Sequence, residues 1–175
     1  MYRYKDIVFR PIEKLDLSFL REMHNDYLTV KYLTNAHMVN EIEQECWYQD
    51  ICLSKTSMRF VVIYKDNKVG CMRFDNYDSV NRNIQIGGDI HVDFRGKGLG
   101  KMMFEACLHY SFEVLNCHRV YLCTLETNKV AINMYHQCGM IAEGISTESI
   151  YRNGQYSNCI NMYMTDNIYY NKEMK

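Results

Sequence analysis

The stretch Ile90-His91-Val92-Asp93-Phe94-Arg95-Gly96-Lys97-Gly98-Leu99-Gly100-Lys101 decides how this chain is read. A β-rich run enters a glycine-rich turn and passes straight into a helical pattern. Such a junction is an anion site. Glycines let the backbone approach an oxyanion and aim successive N–H groups at it, and a helix start adds about half a unit of positive charge. Arg95, Lys97 and Lys101 reinforce that field. A plain tight turn would need one glycine, whereas Gly96, Gly98 and Gly100 stand at alternate positions. A Walker loop requires Gly-x-x-x-x-Gly-Lys-Ser/Thr, but Lys97 is followed by Gly98, and His91 stands five before Gly96. A dinucleotide fingerprint requires Gly-x-Gly-x-x-Gly and an acid about 20 residues on, whereas Gly96, Gly98 and Gly100 give Gly-x-Gly-x-Gly and no acid stands near residues 114 to 120. Nucleotide hydrolysis and kinase chemistry fail with them, since no metal-binding acid adjoins the loop.

Outward from the loop, strand and helix patterns alternate. Upstream, Ile7 to Arg10 reads as a strand, and Asp16 can cap a helix to about Asn25 with Leu17, Leu20 and Met23 at helical spacing. Asn40 to Leu53 reads as a second helix, with Ile42, Cys46 and Trp47 on its apolar side. Arg59 to Tyr64 and Val69 to Phe74 are joined by turn chemistry at Asp66-Asn67-Lys68, and Asn83 to Val92 continues the meander. Downstream, Gly98 to about Leu115 is helical, with Met103, Cys107, Tyr110 and Val114 stacked at spacings of three and four. Arg119 to Thr124 is again β-like, and Asn128 to Cys138 forms a helix stopped by Gly139. Strands near Met140 to Tyr151 and Tyr156 to Met164 flank a turn at Arg152-Asn153-Gly154-Gln155. The predicted order is βααβββαβαββ. Pro11 is the only proline and nothing marks a linker, so residues 1–175 are expected to form one domain.

Composition narrows the partners. With 20 basic and 21 acidic residues the formal net charge is -1, which offers no bulk attraction to nucleic acid or anionic lipid. An anionic ligand must therefore be held by the local loop. Eight dispersed cysteines without a Cys-x-x-Cys pair, and an opening segment Met1 to Arg10 lacking an apolar core, fit a reducing cytoplasm better than secretion. No apolar run approaches the roughly 18 residues that span a membrane. Scattered histidines give no metal-ligand spacing.

Arg95, Gly98 and Gly100 form Arg-x-x-Gly-x-Gly, which resembles the pyrophosphate-binding loop of the GNAT acetyltransferase superfamily. One helix and one strand later, Asn128-x-x-Ala131-x-x-x-Tyr135-x-x-x-Gly139-Met140 resembles the second motif of that family, with Met140 where phenylalanine is usual. The likeness runs from about Ile7 to Met164. The ending through Arg152-Asn153-Gly154-Gln155-Tyr156 is similar to the branch of ribosomal-protein N-terminal, spermidine and amino-sugar acetyltransferases.

The resemblance implies an α/β (α+β) GNAT-like domain with a mixed, mostly antiparallel twisted sheet of about seven strands flanked by about four helices. It implies acetyl-CoA as co-substrate, bound through Ile90, Val92, Arg95, Gly96, Lys97, Gly98, Leu99, Gly100, Lys101, Asn128 and Ala131. It further implies that the strand ending near Val92 splays from the strand at Arg119 to Thr124, leaving backbone groups free for pantetheine. Gly87 and Gly88 would suit a bulge there. Tyr135 matches the tyrosine placed near the sulfur, where a phenol can protonate the departing thiolate.

Attack on a thioester needs a neutral amine, yet an alkyl amine is more than about 99.9% protonated at pH 7, a deficit of about 4.6 kcal/mol. A base or a water chain is expected. Relatives carry a glutamate where this chain has Ile84-Gln85-Ile86, which leaves Asp89 and His91, with Glu126 further off, as candidates. The acceptor end is expected from the first two helices, the segment Tyr27 to Asn40 and the last hairpin. With Glu41, Glu43 and Glu45 read as solvated, no acidic cluster is apparent, and the reading leans to an amino sugar, nucleotide-linked or free, or a peptide N-terminus over a small amine. A non-catalytic acyl-CoA-binding module is the alternative, and a homodimer stays open.

Overall fold

The protein is described by a computed structural model over residues 1–152 and 154–173. Its strands are β1 (Tyr2–Tyr4), β2 (Ile7–Pro11), β3 (Met58–Tyr64), β4 (Asn67–Asp78), β5 (Asn83–Ile90), β6 (Arg119–Leu125), β7 (Ile141–Arg152) and β8 (Gln155–Thr165). They form one sheet in the order β1-β2-β3-β4-β5-β6-β8-β7. Every neighbouring pair is antiparallel except β5 and β6. The helices are α1 (Leu17–Asn25), α2 (Tyr27–Val30), α3 (Glu41–Leu53), α4 (Leu99–His109), α5 (Lys129–Gln137) and α6 (Asp166–Glu173). None is long and apolar enough to cross a membrane among the described residues.

The additions to the predicted order are β1, α2 and α6, and each depends on tertiary contact. Tyr2 of β1 packs 4.9 Å from Phe9 and 5.3 Å from Tyr110, centroid to centroid. The single turn of α2 is too short to display a period and is started by Asp26, which accepts from the Thr29 N–H. The last helix is pinned by Tyr169, which is buried and stacked on Phe112 at 4.7 Å. The expected apolar side of α3 is corrected: Ile42 and Cys46 are exposed, while Trp47, Tyr48 and Ile51 face the core. The Asn40–Glu43 capping box starts the helix in that rotation. Beyond His109 the fourth helix widens into a π turn at Tyr110–Val114, and Val114 ends up exposed. At the β7–β8 turn, Asn153 lies outside the described residues, and Gly154 takes φ +82°.

The sheet has two apolar faces. Ile84, Ile86 and Ile90 of β5 join Met72, Phe74, Met103 and Phe104 in the larger core under α4. The smaller core on the opposite face gathers Val61 and Cys71 with Leu20 and Met23 of α1. Side chains alternate along a strand, so Gly87 and Asp89 share that opposite face with their register partners Arg73 and Cys71.

The predicted bulge at Gly87 and Gly88 is absent, because the β4–β5 register runs unbroken from Gly70–Ile90 to Asp75–Gln85. Close approach accounts for both glycines. A Cβ at Gly87 would lie 2.9 Å from Arg73 Nη2, and one at Gly88 2.7 Å from the Cys71 carbonyl oxygen.

A buried carboxylate fastens α1 to the sheet. Asp16, fully buried, accepts from Arg10 at 2.7 and 3.0 Å, pairs with Lys68 at 2.6 Å, and accepts from the Glu13 N–H at 2.9 Å. Burial pushes its carboxyl up, but the two cations and the N–H outweigh it and bring it down to about 2. Asp16→Asn should cost about 3–5 kcal/mol in denaturant unfolding, since Arg10 and Lys68 keep their charge. A depressed carboxyl contributes stability above its unfolded value near 3.9 and loses it as pH falls toward 2. Stability should therefore decline more steeply across that window in the wild type than in the variant, which keeps the depressed carboxyls of Asp78 and Asp166.

Candidate functional site

The parallel pair β5–β6 lasts only from Asn83–Arg119 to Gln85–Tyr121, after which the strands separate. On its other side β5 stays paired, and the His91 N–H still donates to the Val69 carbonyl at 2.9 Å. In an antiparallel ladder the alternate residues turn their backbone outward, so Ile86, Gly88 and Ile90 face the gap, with the Ile90 carbonyl already taken by Arg95 Nε at 2.9 Å. A cleft of about 650 Å³ opens there, bounded by α4, α5, β7 and the segment at Leu28 to Thr34.

One end of the cleft is the glycine loop. Gly96 and Gly98 take φ +74° and +77°, left-handed values that favour glycine, and Gly98 is the N-cap of α4. Gly100 lines the cleft itself, where an added Cβ would stand 3.8 Å from Ile90 and Met134. Across the cleft, Asn128 caps α5 by accepting from the Ala131 N–H at 3.3 Å. Asn128, Ala131 and Tyr135 follow at helical spacing and all line the cleft. The Tyr135 ring packs 4.7 Å from Phe104. Burial pushes its hydroxyl up to about 12, Asp89 adds to the rise and Arg73 opposes it. It is a neutral phenol at working pH, able to donate a proton.

A second cavity of about 360 Å³ lies on the α1–α3 face, with Met23, His24, Glu43, Trp47 and Arg59 among its walls. Both spaces are lined by Thr29, Leu33, Thr34, Arg73 and Asp89, so they meet at those residues. At this joint Arg73 Nε stands 4.0 Å from Asp89 Oδ2, and that nitrogen is buried without a hydrogen-bond partner. Arg59, the other cation here, is engaged by Asp75 at 2.8 Å. A thioester entering by the cleft and an amine entering by the smaller cavity would meet beside Asp89, Arg73 and Tyr135.

Several expected site residues stand elsewhere. His91 lines neither space: its ring stacks on Phe19 at 5.7 Å, and Nδ1 accepts from the Asp93 N–H at 3.4 Å. Glu126 accepts from Asn158 Nδ2 at 3.1 Å and is likewise outside both. Lys97 donates to the Asp93 carbonyl at 2.8 Å, Leu99 is buried in the core, Lys101 is exposed, and Val92 opens a short 3₁₀ turn. The Arg95 guanidinium is turned inward, donating to the carbonyls of Ile90 at 2.9 Å and Leu28 at 3.1 Å and to the Thr29 hydroxyl. Arg95 nonetheless lines the cleft. Glu43, read as solvated with Glu41 and Glu45, is exposed and accepts from the Asn40 N–H at 3.0 Å, and it also borders the smaller cavity. Arg73 escaped the sequence reading because β4 is apolar on both faces, which hides the alternation that would have singled it out.

A family model described as "Acetyltransferase (GNAT) family" matches residues 17–140. The chain is 27% identical over 167 residues to a spermidine N(1)-acetyltransferase of Vibrio cholerae serotype O1, covering 95% of this chain and 96% of that protein. It is 28% identical to a spermidine N(1)-acetyltransferase of Escherichia coli K12, over 89% of this chain and 84% of that one. A crystal structure of the Vibrio cholerae spermidine N-acetyltransferase in complex with CoA and spermine superposes with a TM-score of 0.91 at 26% identity, covering 95% and 99% of the two chains.

Gly98→Asp tests the loop. A carboxylate among the N–H groups, at a residue of φ +77°, should abolish coenzyme A binding while the fold persists. Calorimetry on the folded variant should register at least about a hundredfold loss, the equivalent of about 2.7 kcal/mol.

Proposed function

The chain belongs to the acetyltransferase (GNAT) family and is an acetyl-CoA-dependent N-acetyltransferase acting on amines; from this premise we propose that its acceptor is a linear polyamine, with residues 1–175 working as one domain. The observation that carries the reading is the meeting of the two cavities at Asp89 and Arg73. Tyr135 also faces the cleft there. The amino-sugar and peptide readings have no counterpart in the relatives named above, which act on spermidine by name, and neither does the non-catalytic module. The lining of the smaller cavity includes the acids Glu43 and Asp89, with the Glu43 carboxylate also capping the Asn40 N–H, together with apolar Leu20, Met23 and Trp47. Such an arrangement suits an alkyl chain with separated nitrogens.

The roles follow from position. The backbone groups of Ile86 and Gly88, the Ile90 N–H and the glycine loop hold the coenzyme, which supplies the thioester. The guanidinium of Arg73 disfavours a second cation at the joint, so the nitrogen that settles there is the one that has lost its proton. Asp89 is the carboxylate within reach to receive that proton, directly or through water. Tyr135 holds the proton for the departing thiolate, its high proton affinity keeping it loaded throughout the working range.

Thiol release from acetyl-CoA, measured against spermidine, spermine, an amino sugar and a peptide N-terminus, should show turnover with the polyamines. Turnover on the sugar or the peptide with none on polyamines would overturn the acceptor assignment. Tyr135→Phe should lower kcat by roughly ten- to ten-thousandfold with coenzyme affinity little changed, because the ring stays and the proton donor goes. Asp89→Asn should lose activity at neutral pH and regain part of it in alkali, as solution supplies free amine. A profile parallel to that of the wild type would rule out Asp89 as the base.

A further inference from the structure

The segment Leu28 to Thr34, whose Thr29, Leu33 and Thr34 line both cavities, is held within itself by turn hydrogen bonds such as Tyr32 N–H to the Thr29 carbonyl and Leu33 N–H to the Val30 carbonyl. Its only helix, α2, spans four residues, far below the roughly 12 at which an isolated helix becomes even marginal. Thr29 is buried, but Tyr27, Leu28 and Tyr32 are exposed, so apolar burial contributes little. Two arginines grip it from outside. On one side, Arg95 of the glycine loop donates to the Leu28 carbonyl and the Thr29 hydroxyl, with its Nε anchored on the Ile90 carbonyl at the end of β5. On the other, Arg152 at the end of β7 donates to the Val30 carbonyl at 3.4 Å and to the Leu33 carbonyl. Four acceptors of one short segment are thus taken by two guanidiniums that come from the loop and from the last hairpin.

We infer that Arg95 and Arg152 are positioning residues for the acceptor: they fix the wall Leu28–Thr34, so acceptor affinity depends on both of them while coenzyme affinity does not. The inference rests on the reading that the smaller cavity takes the amine. It also separates two jobs within one loop, where the backbone of Gly96 to Gly100 meets the anion and the Arg95 side chain meets the wall. Because the tether begins in the coenzyme loop, ordering of that loop is passed to the wall. Coenzyme should therefore tighten acceptor binding, and by reciprocity the acceptor should tighten coenzyme binding by the same factor.

Arg95→Gln and Arg152→Gln, each made in the full chain, test this. Calorimetry gives the Kd of coenzyme A, and steady-state kinetics give KM and kcat for spermidine. Each variant should raise the acceptor KM by roughly ten- to a hundredfold, the size expected from losing charge-assisted hydrogen bonds. The Kd of coenzyme A should stay within about threefold of wild type, far from the loss of a charged phosphate contact. The enhancement of spermidine binding by saturating coenzyme A should largely vanish in Arg95→Gln. A salt-sensitive loss of coenzyme affinity with unchanged acceptor KM would make Arg95 a pyrophosphate ligand and overturn the inference, as would no change in either constant. If Arg95→Gln fails to fold, Arg152→Gln, which lies outside the loop, decides alone. Should the wild type prefer another amine, the acceptor assignment falls. The same two constants measured with that amine then judge the wall, whose inference fails if its KM is unmoved.

Discussion

The parting of β5 and β6 after three register pairs is the constraint on which the site depends. A parallel pair kept to its full length would saturate the backbone of Ile86, Gly88 and Ile90 and close the cleft. The strands diverge because they are held from outside. The β5 strand stays bound to β4 through Ile90, and β6 stays bound to β8 from Arg119 to Leu125, so neither can follow the other. Glycines at 87 and 88 let Arg73 and Met103 crowd against β5 on opposite faces, where any side chain would collide. The cleft is in this sense an unmade stretch of sheet whose hydrogen-bonding capacity is reserved for a ligand.

Two aspartates illustrate how placement divides labour. Asp16 has its oxygens filled by Arg10, Lys68 and the Glu13 N–H, and it serves as a fastener between α1 and strands β2 and β4. Asp89 has a single cation 4.0 Å away and opens onto two cavities. The first is saturated and inert; the second keeps lone pairs free. The arginines divide similarly. Arg59 is occupied by Asp75, and Arg95 and Arg152 donate to wall carbonyls; Arg73 and Arg152 each carry a buried Nε without a hydrogen bond, and that of Arg73 faces a carboxylate.

Much of this was legible in the chain itself. The spacing of Arg95, Gly98 and Gly100, and of Asn128, Ala131 and Tyr135, is local. A turn of φ above zero and a helix face repeat within a few residues, so their chemistry can be read without knowing what lies opposite. Strand and helix succession from Ile7 to Met164, apart from the single turn of α2, was readable for the same reason. Misreadings arose where the deciding partner is distant in sequence. His91 lies two residues beyond Asp89 and so starts on the same face, but β5 ends at Ile90, and Phe19, 72 positions away, takes the histidine ring. Trp47 was read correctly on the apolar side of α3, but Ile42 and Cys46 were not, because only the packing of that helix on the sheet decides which of its residues are covered.

The sequence by itself determined the local devices: the glycine loop at the start of α4, the capped face of α5 with its tyrosine, the strand order, and hence the family and the coenzyme. Those depend on backbone conformations and periods that a few neighbouring residues dictate. The tertiary structure alone decided where β5 and β6 part, which carboxylate reaches the joint, and that the Arg95 side chain grips Thr29, 66 positions away, instead of facing outward. These depend on groups far apart in the chain, whose meeting is settled by which faces are buried against one another and by the need of every buried donor for an acceptor.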